Sequence, residues 1–371
     1  MGKIRAKLPF IRRFLPLNTL RVLKKDKIRN ILVINLGGIG DVLLSIPALR
    51  ALKAAYPLAV ITSMVVPRTA EILAKAAYVD EVVLFSTSFK DSLSDLRRLL
   101  RLRRRRFDVA INMRTLVSKL SAYKMQALFT IVSPAISIGR DTDGRGYFFD
   151  TKIPETLIGE KFEMEYDIDT MRAIGIEVTD RSIDFIIDND VERKIKDLLE
   201  REGIMRGDIL ICLHPGGMPS RRWPLENYAC LIDRLRAGIP CKFVITGSRD
   251  EVNLGRYLAE ISPRDVKNFC GKLNVAELGA LIKICGLFIV GDTGPMHIAA
   301  ILNTPLIALC GPGDITRFDP RNVMPDAVVF YKKAACSPCE KYRCDDLRCL
   351  KAIKPDEVMK AALSFLNSTR R

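Results

Sequence analysis

Residues 31–36, apolar apart from Asn35, run straight into Gly37, Gly38 and Gly40, and this junction constrains the fold more than any other stretch of the chain. Six residues without polar alternation suit a strand buried on both faces, and the glycines let the chain turn tightly at its end into a helix. Such a strand belongs in a parallel sheet covered by helices on both sides. The following sequence supplies that pattern, with strands predicted at 59–66, 81–85 and 108–112 and helices after Pro67 and over 93–105. The alternation restarts after a polar stretch near 177–182, with strands predicted at 208–213, 241–246, 287–290 and 305–309. The reading is an α/β chain of two doubly wound halves, 30–178 and 179–350, with a basic segment 1–29 before them and a helix near 355–366 within the tail 351–371. In such sheets ligands sit beyond the carboxyl ends of the strands, so the loops there carry the functional expectations.

The first loop is Gly37-Gly38-Ile39-Gly40-Asp41. A dinucleotide fingerprint needs a third glycine where Leu43 stands and an acidic residue after the next strand, where Val66 and Pro67 stand; a phosphate-binding P-loop needs a lysine after the glycines. Neither is present. What remains is the Asp41 carboxylate at the mouth of a glycine turn, placed either to take a proton from an incoming hydroxyl or to cap the next helix. The second loop, residues 214–224, offers Gly216 and Gly217, whose N–H groups can approach a diphosphate, and Arg221 or Arg222 to neutralise it. Its tryptophan, Trp223, is expected to anchor the next helix beside Pro224. The third, Asp292-Thr293-Gly294-Pro295-Met296-His297, starts a helix whose first N–H groups suit an anion, with Asp292 and His297 able to grip sugar hydroxyls. In the fourth, 247–251, Glu251 suits a ribose hydroxyl or a helix cap.

The net charge of +16 is concentrated. Residues 1–29 carry ten Lys/Arg and one acid, residues 97–106 carry seven Arg, and the remainder balances. Nucleic-acid binders spread basic groups over a face and interleave aromatics, which make up only 7% of this chain, so nucleic acid is not expected as a partner. Two local patches instead fit an anionic membrane surface. Residues 93–105 read as a helix with an apolar stripe of Leu93, Leu96 and Leu100, continuing to Phe107, and with Arg97, Arg101, Arg104 and Arg105 outward. No apolar run approaches the roughly 18 residues that cross a bilayer, and Arg12 and Arg13 interrupt any signal-peptide core, so a cytoplasmic protein is expected.

Taken together, the glycine turn with Asp41, the 214–224 segment, the Asp292–His297 string followed by Pro305 and Gly311-Pro312, and a terminal cysteine cluster resemble glycosyltransferase family 9, the bacterial lipopolysaccharide heptosyltransferases. The resemblance spans about residues 30–365. It implies two Rossmann-like domains facing across a cleft, the GT-B arrangement, with the acceptor on the first and the nucleotide-sugar on the second. It also implies inverting transfer without a catalytic metal or other cofactor. By matching position, Asp41 is the implied base. Gly216, Gly217 and Arg221 would hold the diphosphate, Glu251 the ribose, and Asp292, Thr293, Gly294 and His297 the sugar and phosphates. The implied donor is ADP-heptose, and the implied acceptor a lipid-anchored glycan at the inner face of the cytoplasmic membrane, where Arg97, Arg101 and Arg104 would meet anionic groups. This chain has Arg221 where the family often has lysine, and glycines where it often has hydroxyl residues, which loosens the tie to heptose. Another nucleotide-sugar, a nucleotide-sugar epimerase and a non-catalytic glycan-assembly protein stay open as alternatives.

Three aspartate pairs, Asp141/Asp143, Asp167/Asp169 and Asp188/Asp190, have the spacing of a metal-dependent transferase, but none closes a predicted core strand. Asp190 suits the N-cap of a helix starting at Val191, and 141–144 a turn. Six cysteines lie among apolar neighbours as core residues. The other four, Cys336, Cys339, Cys344 and Cys349, have the clustering of a structural zinc site, with reduced thiols or a disulfide as the alternatives.

Overall fold

A computed structural model describes residues 27–86, 92–262, 266–339 and 341–368. All but the last three residues of the basic segment 1–29 lie outside them. Two six-stranded sheets form, parallel throughout. The first contains β1 (Asn30–Asn35), β2 (Val60–Val65), β3 (Glu81–Leu84), β4 (Val109–Asn112), β5 (Ile136–Thr142) and β6 (Thr151–Glu155) in the order β3-β2-β1-β4-β5-β6. The second contains β7 (Ile209–His214), β8 (Cys241–Ile245), β9 (Val266–Asn268), β10 (Leu287–Gly291), β11 (Leu306–Cys310) and β12 (Val328–Tyr331) in the order β12-β11-β10-β7-β8-β9. Both orders are that of the Rossmann fold, and both reverse direction beside the first strand of the sheet, at β1/β4 and at β7/β10. These switch points are where the functional loops emerge.

Helices of six residues or more are α1 (Ile39–Leu44), α2 (Ile46–Ala55), α3 (Ser92–Arg104), α4 (Lys119–Val132), α5 (Glu163–Ala173), α6 (Asn189–Arg201), α7 (Leu225–Gly238), α8 (Val252–Ile261), α9 (Val275–Ile284), α10 (Gly294–Ile301) and α11 (Pro355–Ser368). The period-two pleat of β1 sends Ile31 and Val33 into one core and Leu32 and Ile34 into another. The first core is continuous through both halves: α1, α2 and α5 on one sheet meet α9 and α10 on the other. The outer face of the first sheet is covered by α3 and α4, that of the second by α7, α8 and α11.

The structure corrects several expectations. On α3 the buried residues are Leu99 and Leu102, while Leu96 and Leu100 are exposed; the side chain of Leu93 is not described. The helix is rotated because Asp95 turns inward, accepting from the Ser86 N–H at 3.4 Å and pairing with Arg98 at 3.2 Å, and because Phe107 buries the exit. The arginines do point outward. Asp188, not Asp190, is the N-cap, of a helix that starts at Asn189. Asp141 lies within β5, whose polar end the sequence pattern hid, and the turn begins at Asp143. Trp223 anchors the helix that follows it by packing edge-on against Tyr228, and its indole N–H also donates to the Ile353 carbonyl at 3.1 Å, tying α7 to the approach of α11.

Candidate active site

An asparagine ends the strand on each side of the first switch point and shapes the loop beyond it. The amide of Asn35 donates to the Asp41 carbonyl at 3.1 Å and its oxygen accepts from the Gly37 N–H at 3.2 Å. Asn112 does the same for the next loop, donating to the Arg114 carbonyl at 2.7 Å and accepting from the Arg114 N–H at 3.2 Å. The two loops thereby bring Asp41 Oδ1 to 2.8 Å from the Arg114 guanidinium, while Asp41 Oδ2 accepts from the Gly38 N–H at 2.7 Å. Asp41 therefore caps the helix, as one of its two readings expects, while its other carboxylate oxygen meets Arg114. Burial pushes its carboxyl upward, but Arg114, the Gly38 N–H, Arg140 and His297 outweigh this and leave it below the usual carboxylate range. Arg114 was not singled out in the sequence. The signal that finds it is topological: the β4 loop neighbours the β1 loop only once the strand order is known.

At the second switch point the three remaining loops converge. Gly217 donates to Glu251 Oε1 at 2.6 Å, and Glu251 Oε2 accepts from the Ser248 N–H at 2.8 Å, so Glu251 caps its own helix and clamps the second loop. Arg222 joins the clamp, at 3.3 Å from Glu251 and 2.8 Å from the Gly217 carbonyl. Burial acts upward on the Glu251 carboxyl, and the donated N–H groups with His214 bring it net downward. Gly216 lies directly on the same carboxylate. Arg221 pairs with Asp292 at 2.9 Å, both largely buried. Below them His214 shares a 3.0 Å hydrogen bond with Thr246, and burial lowers its pKa to about 4, so it is neutral at pH 7.

The two switch points meet. A Cβ on Gly40 would lie 2.5 Å from Cδ2 of His297, and one on Gly294 would lie 2.6 Å from Cβ of Ile39. Glycine is required at both crossings for α1 and α10 to approach this closely. Thr293 is the N-cap of α10 and His297 sits on its first turns. His297 is buried, held neutral by that burial, and packs edge-on to Phe318 at 6.0 Å. It stands between the halves, near Asp41, rather than in open solvent. Arg97, Arg101 and Arg104 are remote in sequence from these loops, on the outer helix α3.

Behind the cleft lies a charge cluster that no local pattern announces. Arg140 is fully buried and pairs with Glu163 at 2.5 Å, Asp167 at 2.5 Å and Glu155 at 3.1 Å. Arg317, from the second half, enters the same cluster at 2.6 Å from both Glu155 and Glu163 and donates to Thr115 at 2.8 Å. The Gly159 N–H donates to Asp314 at 2.5 Å beside it. Of the aspartate pairs, Asp167 is thus spent in structure.

Among the described residues no three His, Cys, Asp or Glu side chains gather closely enough to hold a metal. Of the alternatives open at Cys336, Cys339, Cys344 and Cys349, the structure shows free thiols, with Cys336 exposed to solvent and Cys349 packed in the core. No described helix is long and apolar enough to cross a membrane.

Comparison with known proteins places these features in context. The family model described as glycosyltransferase family 9 (heptosyltransferase) matches residues 96–349. Lipooligosaccharide heptosyltransferase 2 of Campylobacter jejuni is 33% identical over 106 residues, 28% of this chain; the match spans 33% of that relative's length. A glycosyl transferase family 9 structure from Veillonella parvula superposes with a TM-score of 0.72 at 22% identity, covering 92% of this chain and 98% of the other. E. coli ADP-heptose lps heptosyltransferase II superposes with a TM-score of 0.69 at 21% identity, covering 92% and 100%. The fold is therefore of the GT-B type.

Proposed function

Given that the chain belongs to glycosyltransferase family 9, we propose that it is an inverting glycosyltransferase that moves heptose from ADP-heptose onto a lipopolysaccharide-core-type acceptor carried on a lipid. The observation that carries this reading is the meeting of the two switch points: the loop bearing Asp41 abuts the loop bearing Asp292, Thr293 and Gly294, through Gly40 on His297 and Gly294 on Ile39. In this reading a base on one half works against anion-binding loops on the other. The names of the E. coli and Campylobacter relatives support heptose as the sugar, and that of the E. coli protein supports ADP.

In this mechanism the acceptor hydroxyl gives its proton to Asp41 as its oxygen bonds to the anomeric carbon. The bond from that carbon to the diphosphate breaks on the opposite face, and its electron pair leaves with the diphosphate, which inverts the centre. Arg221 and Arg222, already fixed by Asp292, Glu251 and the Gly217 carbonyl, supply positive charge where the leaving group becomes negative. Groups held in place before reaction stabilise that charge without reorganising. The N–H groups of Gly216, Thr293 and Gly294 complete the diphosphate site in this reading, Glu251 lies toward the ribose, and His297 contributes as a neutral donor or acceptor. No metal is required, because the two guanidinium groups meet the charge. The enzyme works as a peripheral protein at the inner face of the cytoplasmic membrane.

Two measurements test this. ADP-heptose should raise the melting temperature by mass action, by more than other nucleotide-sugars at equal concentration. Asp41→Asn should lower transfer by about 10²–10⁴-fold, the range of a general base, while keeping the shift given by ADP. Wild-type turnover in Asp41→Asn removes Asp41 as the base, and a larger shift with a differently based donor removes ADP.

A further inference from the structure

We propose that the outer face of the first sheet, formed by α3 and α4, docks on an anionic lipid leaflet, inserting Leu96, Leu100, Leu120 and Tyr123 among the head groups while Arg97, Arg101 and Arg104 hold lipid phosphates. The inference rests on the lipid-carried acceptor proposed above, and it adds which surface meets the membrane and that the contact is partly apolar.

These two helices cover their side of the sheet with Leu99, Leu102, Met125, Leu128 and Phe129, and that core is complete without the residues now considered. On the solvent side Leu96 is 42% exposed, Leu100 48%, Leu120 61% and Tyr123 57%. Val117, at the entry to α4, is 49% exposed. Single exposed apolar side chains are ordinary. Four on two helices packed against each other, with Val117 beside them in sequence, are a surface with its own composition.

Among the described residues the exposed charge on these two helices has one sign. The only acid on α3, Asp95, is buried and paired with Arg98, and α4 has Lys119 and Lys124 but no acid. Arg105 is paired with Glu81 and Arg103 reaches the Ile131 carbonyl at 3.3 Å, whereas Arg97, Arg101 and Arg104 are exposed and pair with no carboxylate among the described residues. Leucines and a tyrosine set among exposed arginines complement a leaflet on both counts, acyl chains for the first and phosphates for the second. A nucleic-acid surface would need more stacking groups than Tyr123 and Tyr147 provide.

Topology gives the contact a use. In a parallel sheet α3 and α4 both start at the carboxyl edge, after β3 and β4, and the loop from β4 to α4 is the one that carries Arg114. Val117 and Leu120, just before and in the first turn of α4, therefore lie on the stretch that carries Arg114, the partner of Asp41. A sugar acceptor anchored in the leaflet would enter the cleft without leaving the membrane.

The test uses the full chain and vesicles of phosphatidylglycerol with phosphatidylcholine, the latter brominated on its acyl chains. The native Trp223 is buried in the second half and serves as a silent background. Tyr123→Trp should be quenched on binding, and Met205→Trp, equally exposed on the second half, should not. Changing Arg97, Arg101 and Arg104 together to Gln should weaken binding about a hundredfold, at roughly fivefold per arginine near the surface. No binding to these vesicles, binding without quenching at position 123, or full-strength binding by the triple variant each overturns the proposal. The ADP-induced melting shift, measured on the same samples, reports the donor site independently: its absence with quenching intact strikes the proposed transferase reading and leaves the docking face standing.

Discussion

Replacing Arg317 by Met should loosen the two halves of the molecule more than it unsettles either sheet. The guanidinium crosses from the second half and lies 2.6 Å from Glu155 and 2.6 Å from Glu163, both buried, and donates to Thr115 at 2.8 Å. Its side chain is 5% exposed, so water does not replace it when it is removed. Breaking a buried ion pair by deleting one partner costs about 3–5 kcal/mol, because the other partner keeps its desolvation penalty without compensation. Here two carboxylates are left to Arg140, which also serves Asp167. The relief open to them is hydration, and hydration requires the halves to part. Gly159→Ala should reproduce the effect without touching a charge. A Cβ there overlaps the aliphatic part of the Arg317 side chain, and the backbone of Gly159 is not in the left-handed region, so the substitution acts by steric expulsion alone. The assay is urea unfolding together with small-angle scattering in native buffer. Both single variants should lower the midpoint and enlarge the radius of gyration, and the double variant should cost clearly less than the sum, since both changes remove the same contact. An unchanged radius with an unchanged midpoint in Arg317→Met, or full additivity in the double variant, would refute the idea that this contact holds the halves together.

Two further outcomes follow from the electrostatics. Burial, only partly opposed by Arg140, raises the Asp167 pKa from 3.8 to about 7. A carboxyl raised on folding contributes stability fully present below its unfolded pKa and lost as pH rises through the folded one. Wild-type stability should therefore fall between about pH 4 and pH 7 on this account, by an amount on the order of a few kcal/mol; Asp167→Asn should flatten that slope and be the more stable protein at pH 8. Parallel pH dependences of the urea midpoint in the two proteins would count against it. At the cleft, Arg114→Gln removes the strongest influence holding the Asp41 carboxyl down, so the acid limb of kcat/KM for transfer should move to higher pH. A limb that stays in place would mean that Asp41 is not the group titrating in it.

The sequence by itself carried the α/β class, the doubling of the unit and the position of the main loops. These depend on local signals: an apolar run such as 31–36 closed by glycines, an Asp-Thr-Gly string after another such run, and alternation with helical periods. Strands without that signal escaped it. β5 ends in Arg140-Asp141-Thr142, β6 contains Lys152 and Pro154, β9 has three residues, and β12 lies half-buried at a sheet edge. The buried charges of β5 and β6, Arg140 and Glu155, pair with each other, with carboxylates from α5 and, 162 residues beyond Glu155, with Arg317. Helix α3 shows the same limit in another form. Its leucines offer two stripes, and only packing of Asp95 and Phe107 chose between them, which put Leu96 and Leu100 outside. Arg114 meets Asp41, and Gly40 meets His297, because strand order and the approach of the halves bring together segments far apart in the chain. Local pattern determines what a segment becomes, since propensity and periodicity act over a few residues. Which segments face one another depends on the burial of both sheets at once, and that was decided only by the tertiary structure.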